Sequence, residues 1–222
     1  MPWESTADRF VAYFDMLGFK DFSYRSSHAE VLARMQVVKQ TVSQLSLPDA
    51  ESPNRLKATV FSDSVLVVSE DLSEQSADEI MLAGEWLIYT FVLEGILAKG
   101  AVAAGTFTAD FEQSIFCGRP IIDAYLLQDE LAACATVLHH TAERAIVDLG
   151  PDPDVLLPRR VPIALKEGLV NHYVIDWRVN LKPPDAIRRL DKLYTTVSGK
   201  ARRYIDNTLA YIKQLDESKK PL

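Results

Sequence analysis

The hydrophobic positions near the start of the chain predict a buried β-strand over residues 9–15 (RFVAYFD). Successive side chains of a strand point to opposite faces, and here both sets of positions are largely apolar, which is typical of a central strand. Two more β-rich runs, residues 56–61 and 64–68, are separated only by Ser62 and Asp63, so they predict a tight hairpin. Other strand candidates lie at residues 100–107, 115–117 and 171–177.

A second pattern, with apolar residues every three or four positions, predicts helices. It is clear over residues 28–45 and over residues 184–215, where a break is expected near Gly199. Ser76 and Glu79 match a capping box, in which two side chains satisfy backbone N–H groups at a helix start. A long helix is therefore expected to begin at this position.

The order of these elements is β-α-β-β-α-β, followed by further helix and strand. This order predicts an α+β fold with a mostly antiparallel sheet and helices on one face. We interpret residues 1–183 as the main α+β domain and residues 184–222 as a C-terminal helical extension.

Composition narrows the possible classes of partner. With 222 residues and 48% hydrophobic content, the chain can bury a sizeable core. Its net charge of -7 argues against nucleic-acid binding, because neutralising a phosphate backbone needs clustered Lys and Arg. Neither a signal peptide nor an apolar run approaching the ~20 residues of a membrane span is evident, which favours a cytoplasmic protein without a membrane partner.

Two carboxylates carry the candidate chemistry. Asp15 ends the first predicted strand and Asp63 lies in the hairpin turn, so both can reach the same edge of the sheet. Carboxylates that meet in this way repel one another unless a cation lies between them, and hard oxygen ligands suit Mg²⁺ or Mn²⁺. Two such ions can activate a hydroxyl and neutralise a pyrophosphate leaving group. Gly18 would let backbone N–H groups approach phosphate oxygens.

A simpler interpretation exists for each residue taken alone. An aspartate at a strand end is usually a turn or capping residue, and a Ser-Asp pair in a hairpin is usually part of the turn. The combination of the two positions, rather than either one, is what indicates a metal site.

The combination resembles the class III nucleotidyl cyclases. Residues 13–19 (YFDMLGF) are similar to the first metal motif of that family, and residues 60–65 (VFSDSV) to the second. Residues 99–105 (KGAVAAG) resemble the glycine-punctuated strand that follows, and residues 118–125 occupy the place of a later conserved segment of the family. The resemblance extends over roughly residues 9–135.

The resemblance implies a ferredoxin-like cyclase fold that works as a homodimer with active sites at the interface. It also implies two Mn²⁺ or Mg²⁺ ions per site, bound by Asp15, Asp63 and the backbone carbonyl of Met16. The reaction would be attack of the ribose 3′-hydroxyl of a nucleoside triphosphate on its α-phosphate, which releases pyrophosphate. Further substrate contacts would come from the first motif, namely Phe14, Leu17, Gly18 and Phe19.

The chain departs from the family at the residues that read adenine. Thr59 stands where the adenylyl cyclases have a lysine, and Ile115 where they have an aspartate. Lys57 lies two residues from Thr59 and could reach the substrate instead. These differences argue against the usual adenine pocket, and they resemble the pyrimidine cyclases of bacterial antiphage defence (the Pycsar systems). The implied substrate is UTP or CTP, with UTP favoured.

The family's Asn and Arg, which support its transition state, fall near Ile122 and Leu126, and neither side chain can do that work. Arg119 is our candidate for the catalytic cation, and Tyr125 for a substrate contact; Asp123 is a further alternative. Two other functions remain open at this stage. One is a different two-metal nucleotidyltransferase, and the other is an inactive cyclase-like module that binds a nucleotide or a protein.

Overall fold

The computed structural model describes residues 3–45, 55–150, 158–178 and 183–217. Its strands are β1 (Thr6–Met16), β2 (Leu56–Phe61), β3 (Ser64–Ser69), β4 (Ala98–Asp110), β5 (Ile115–Gly118), β6 (Thr136–Leu138), β7 (Arg159–Leu165) and β8 (Gly168–Ile175). Together they form one sheet in the order β2-β3-β1-β4-β6-β8-β7, with β5 paired to β4.

The helices are α1 (Phe19–Arg25), α2 (His28–Gln44), α3 (Glu74–Leu93), α4 (Arg119–Glu130), α5 (His140–Leu149), α6 (Pro183–Tyr194) and α7 (Lys200–Glu217). Within the described ranges, no helix has the length and apolar character needed to cross a membrane.

The first half of the chain has the ferredoxin-like topology. After β1 and a helical crossover come the β2–β3 hairpin, α3 and β4, and these four strands lie in the order β2-β3-β1-β4. All pairings in this half are antiparallel, and the β4–β6 pairing is parallel. The predicted α+β fold, with its mostly antiparallel sheet and C-terminal helices, is therefore confirmed.

The two faces of β1 have different partners. Phe10, Ala12 and Phe14 belong to the main hydrophobic core beneath α2 and α3. Tyr13 points to the opposite face, where its ring meets the Tyr125 ring of α4 edge-on at 5.5 Å. Helix α4 is thus the exception to a helical layer on one face only, and it lies over β1 and β4 on the face that also carries Asp15.

Close packing fixes the spacing between β1 and β4. Gly100 lies directly opposite Phe14, and a Cβ added at Gly100 would come within 2.3 Å of the Phe14 ring. Any larger residue at position 100 would therefore push the two strands apart or displace the ring.

The expected start of α3 is wrong by one turn. The helix begins at Glu74, and its N-cap is Ser73, whose hydroxyl accepts a hydrogen bond from the backbone N–H of Ser76. The Ser76 hydroxyl instead donates to Asp71, and Glu79 accepts from the backbone N–H of Arg55. Ser76 of the predicted capping box thus anchors the loop before α3, and Glu79 anchors the residue before β2.

The helical extension packs on the sheet domain. The expected break near Gly199 is confirmed, because Gly199 has a φ of 60° between α6 and α7. Leu190 of α6 and Ile205 of α7 are completely buried in the main core. The boundary drawn between residues 183 and 184 stays a prediction, since one hydrophobic core includes residues from both sides of it.

Candidate active site

Strand register brings Asp15 and Asp63 together at one edge of the sheet. Asp15 lies opposite Ser64 of β3, the residue that follows Asp63. The backbone N–H of Met16 donates to the carbonyl of Asp63 at 2.9 Å, which ties the end of β1 to the hairpin turn. Next to this contact, the hydroxyls of Tyr13 and Ser64 are hydrogen bonded at 2.6 Å.

The hairpin turn that carries Asp63 is held in an uncommon conformation. Ser62 has a φ of 55°, in the left-handed region that residues other than glycine seldom adopt. Such a backbone persists only when its surroundings hold it, and here the flanking Phe61–Ser64 pair and the bond from Met16 do so. The turn therefore presents Asp63 beside the end of β1.

The two carboxylates raise the electrostatic energy of the site. Burial and then the negative charge of Asp63 raise the pKa of Asp15 to about 6, against the opposing effect of Lys99. Burial favours the neutral form of a carboxyl group, and a neighbouring carboxylate adds repulsion. A bound cation would offset both effects, so the electrostatics of Asp15 are compatible with a metal ligand.

Lys99 is a site residue that the sequence analysis missed. It lies directly opposite Asp15 on β4 and is only 3% exposed. Its ammonium group donates to the carbonyls of Asp129 at 2.9 Å and Leu131 at 3.4 Å, at the end of α4. Burial lowers the pKa of Lys99. The available signal was a single lysine within an otherwise apolar strand.

Lys99 is part of a small charged network beside Asp15. The Lys166 ammonium, in the turn between β7 and β8, bonds to the carboxylate of Asp129 at 2.5 Å. That hydrogen bond lowers the pKa of Asp129. The network fixes the end of α4 against the sheet edge, because Lys99 contacts the helix backbone and Lys166 contacts the Asp129 carboxylate in its last turn.

The loop between β1 and α1 follows the sheet edge that carries Asp15 and Asp63, the candidate metal edge. Leu17 donates its backbone N–H to the carbonyl of Leu97 at 2.7 Å, and Gly18 has a φ of 75°. Leu17, Gly18 and Phe19 line a cavity of about 510 Å³. Phe14, another expected substrate contact, is instead 1% exposed in the core under the sheet, so it supports the edge from below.

Two residues expected near the substrate base, Lys57 and Thr59, lie on the same face of the sheet as Asp15. Lys57 and Thr59 are on β2, in register with the β3 residues that pair with Val11 and Tyr13. The Lys57 ammonium lies 4.6 Å from the centre of the Trp3 ring and 5.5 Å from that of Phe111. Lys57 thus has aromatic partners within its own chain.

Arg119 and Ile115 are far from Asp15 along the sheet. Gly118, the residue before Arg119, pairs with Phe107, eight positions along β4 from Lys99. At roughly 3.3 Å per residue this separation is about 26 Å. The Arg119 side chain is 81% exposed and pairs with Asp123 at 3.4 Å. Within one chain, the structure therefore does not bring Arg119 to the two aspartates.

The possible metal ligands suit a cation that is bound by the protein and by the substrate together. In the described part of the chain, no group of three or more His, Cys, Asp or Glu side chains is arranged to hold a metal. Mg²⁺ is commonly held by one or two carboxylates together with phosphate oxygens and water. Asp15 and Asp63, with the Met16 carbonyl at the end of β1, match that pattern.

We expect Asp15→Asn to stabilise the metal-free protein at pH 7.5 by about 1–2 kcal/mol, a value discounted for partial exposure of the group. The raised pKa means that ionised Asp15 destabilises the fold, and this cost falls as the pH drops through about 6. The gain should therefore vanish below about pH 4. Thermal melting in EDTA measures this gain in stability, with the exposed Asp206→Asn as the control. Equal gains from both variants would contradict a raised pKa of Asp15.

Comparison with known proteins adds to this geometry. No protein-family model and no curated relative matches the sequence. Among solved structures, the catalytic core of a rhodopsin-guanylyl cyclase with converted specificity, in complex with ATPαS, matches with a TM-score of 0.56 and 12% identity. The match covers 79% of this chain and 98% of that one.

A bacterial light-regulated adenylyl cyclase matches with a TM-score of 0.54 and 10% identity, over 89% of this chain and 59% of the other. Both matches extend over most of this chain, with its antiparallel sheet and flanking helices. The chain has the fold of the class III nucleotidyl cyclases.

Proposed function

We propose that this protein is a nucleotidyl cyclase that converts a pyrimidine nucleoside triphosphate, UTP or CTP, into its 3′,5′-cyclic monophosphate and pyrophosphate. The observation that carries the proposal is the pair Asp15 and Asp63 at one sheet edge of a cyclase fold. Burial and the negative charge of Asp63 raise the pKa of Asp15, and perturbed pKa values of this kind are concentrated at functional sites.

Asp15, Asp63 and the Met16 carbonyl would hold two Mn²⁺ or Mg²⁺ ions. Bound there, the ions would activate the ribose 3′-hydroxyl and neutralise charge on the triphosphate. The chain's own residues orient these ligands: Met16 binds the turn that carries Asp63, and Lys99 lies opposite Asp15. Backbone N–H groups near Gly18 are available for phosphate oxygens.

A homodimer would complete the active site. Arg119 is too far from the aspartates of its own chain, so it can act only on a site whose metal ligands come from a second copy. Exposed apolar surface supports such a contact, because large apolar side chains are exposed on α4 and β5 and at the hairpin tip beside Asp63. They are Phe61, Ile115, Ile122, Tyr125 and Leu126.

The substrate base is inferred from Thr59 and Ile115. A hydroxyl and an aliphatic chain replace the lysine and aspartate expected for adenine, so the charged groups that would read that base are missing at both positions. Lys57, although on the same face, is engaged with Trp3 and Phe111. UTP is favoured, and the product would serve as a second messenger in antiphage defence, as in the systems that the sequence resembles.

One observation favours a second candidate, a cyclase-like module that binds a nucleotide or a protein without turnover. Ile122 and Leu126 replace the family's transition-state pair and are exposed to solvent. If no other residue stabilises the transition state, the protein would bind a nucleotide without converting it.

Products formed from each of the four nucleoside triphosphates with Mn²⁺, identified by mass spectrometry, distinguish these functions. We expect a cyclic monophosphate from UTP or CTP and none with Asp63→Ala, which removes a metal ligand. Loss of at least about 1,000-fold is anticipated, since the metals supply most of the charge stabilisation. Cyclic AMP or GMP as product would overturn the base assignment, and a dinucleotide would indicate a different nucleotidyltransferase.

Mixing two inactive variants tests whether Arg119 acts across a dimer. Asp63→Ala lacks a metal ligand and Arg119→Ala lacks the cation, yet a dimer with one copy of each contains one intact site. Because half of randomly mixed dimers are of this kind, the mixture should recover about a quarter of wild-type activity.

Arg144→Ala, which removes an exposed arginine of α5, serves as the control and should remain active by itself. A mixture that stays as inactive as its parents would show that Arg119 does not act in trans. Full activity of Arg119→Ala alone would remove it from the catalytic residues.

A further inference from the structure

A second feature of the fold is the cavity of about 510 Å³ between the β1–α1 loop and the C-terminal helices. One wall is formed by residues 16–19 and α1, and the facing wall by the end of α6 and the start of α7. Its apolar lining includes Leu17, Phe22, Leu193, Val197 and Tyr204. The volume lies in the range of small-molecule sites, which is roughly 300–1,000 Å³.

Positive charge surrounds the opening of this cavity. Arg25, Arg34 and Lys200 line it, against a single carboxylate, Asp21. Among the described residues, none of these three cations forms an ion pair within 4 Å. The Arg34 guanidinium lies 4.7 Å above the Phe22 ring, and Phe22 also lines the cavity. Unpaired cations beside an apolar wall suit a ligand that combines a negative charge with an apolar body.

The cavity adjoins the sheet edge that carries Asp15 and Asp63, because Tyr204 of its lining interacts electrostatically with Asp15. Neither Asp15 nor Asp63 lines it. The Met16 side chain, which does line it, belongs to the core face of the sheet, whereas Asp15 shares the opposite face with Tyr13. Asp129 and Lys99, both in the charged network beside Asp15, interact with Lys200, and Asp129 already pairs with Lys166.

We propose that this cavity is a binding site for an organic anion with an apolar body. The anionic group would lie at the opening among Arg25, Arg34 and Lys200, and the apolar body inside against Phe22 and Tyr204. An occupant would bridge α7 and the β1–α1 loop, so it would act as a ligand that regulates the order of the loop next to Asp15. Leu17, Gly18 and Phe19 would serve both this site and the substrate site of the proposed function, whereas Arg25, Arg34 and Lys200 line the cavity and are not among the proposed substrate contacts.

The test uses two fluorescent probes of the same skeleton in EDTA, so that no metal-dependent binding contributes. The anion 8-anilinonaphthalene-1-sulfonate has the proposed chemistry, and N-phenyl-1-naphthylamine lacks the sulfonate. The double variant Arg34→Gln/Lys200→Gln removes two cations from the opening. Its matched control, Lys39→Gln/Lys213→Gln, removes two exposed cations from the same helices outside the cavity.

We expect saturable binding of the sulfonate at one site per chain, about 10-fold weaker in the cavity variant than in the control. The neutral probe should bind both variants equally. Equal sulfonate affinities in the two double variants, or no saturable binding to the wild type, would overturn the proposal. So would an effect of Asp63→Asn as large as that of the cavity variant, because the probe would then lie at the metal edge.

Discussion

The register of β1 between β3 and β4 is the constraint on which the rest of the site depends. It sets Asp15 opposite Ser64 on one side and Lys99 on the other, and the N–H of Met16 holds the turn that carries Asp63. A shift of one residue would turn Asp15 into the core and Phe14 out of it, because side chains alternate between faces. The tight contact between Phe14 and Gly100 opposes such a shift.

Local patterns in the sequence were sufficient to predict the half of the fold that contains β1 to β4. Residues 9–15 are apolar on both faces, and only two residues separate the hairpin strands, so the strands and their order followed from short-range features. The start of α3 was misjudged because Ser73 and Ser76 can both cap a helix, and the bonds of Ser76 to Asp71 and of Glu79 to Arg55 leave Ser73 as the cap. A cap that depends on such contacts cannot be identified from spacing alone.

Some features of the site could not be predicted from the sequence because they depend on contacts between residues far apart along the chain. The role of Lys99 depends on α4 ending beside it, and the cavity depends on α6 and α7 folding back to the β1–α1 loop. Arg119 was chosen for its charge, but the strand length between it and Asp15 separates the two residues within one chain. The proposal of a pyrimidine substrate rests on sequence resemblance, whereas the pairing of the two aspartates is supported by the geometry of the sheet.

Titration of Mn²⁺ into the protein, followed by electron paramagnetic resonance of the free ion, tests the central claim most directly. A non-hydrolysable nucleoside triphosphate analogue should be present, since substrate oxygens complete the donor set. The account predicts saturable Mn²⁺ binding by the wild type that is lost in both Asp15→Ala and Asp63→Ala, while Asp206→Ala binds as the wild type does. Unchanged Mn²⁺ binding in the two site variants would contradict a metal centre at this edge of the sheet.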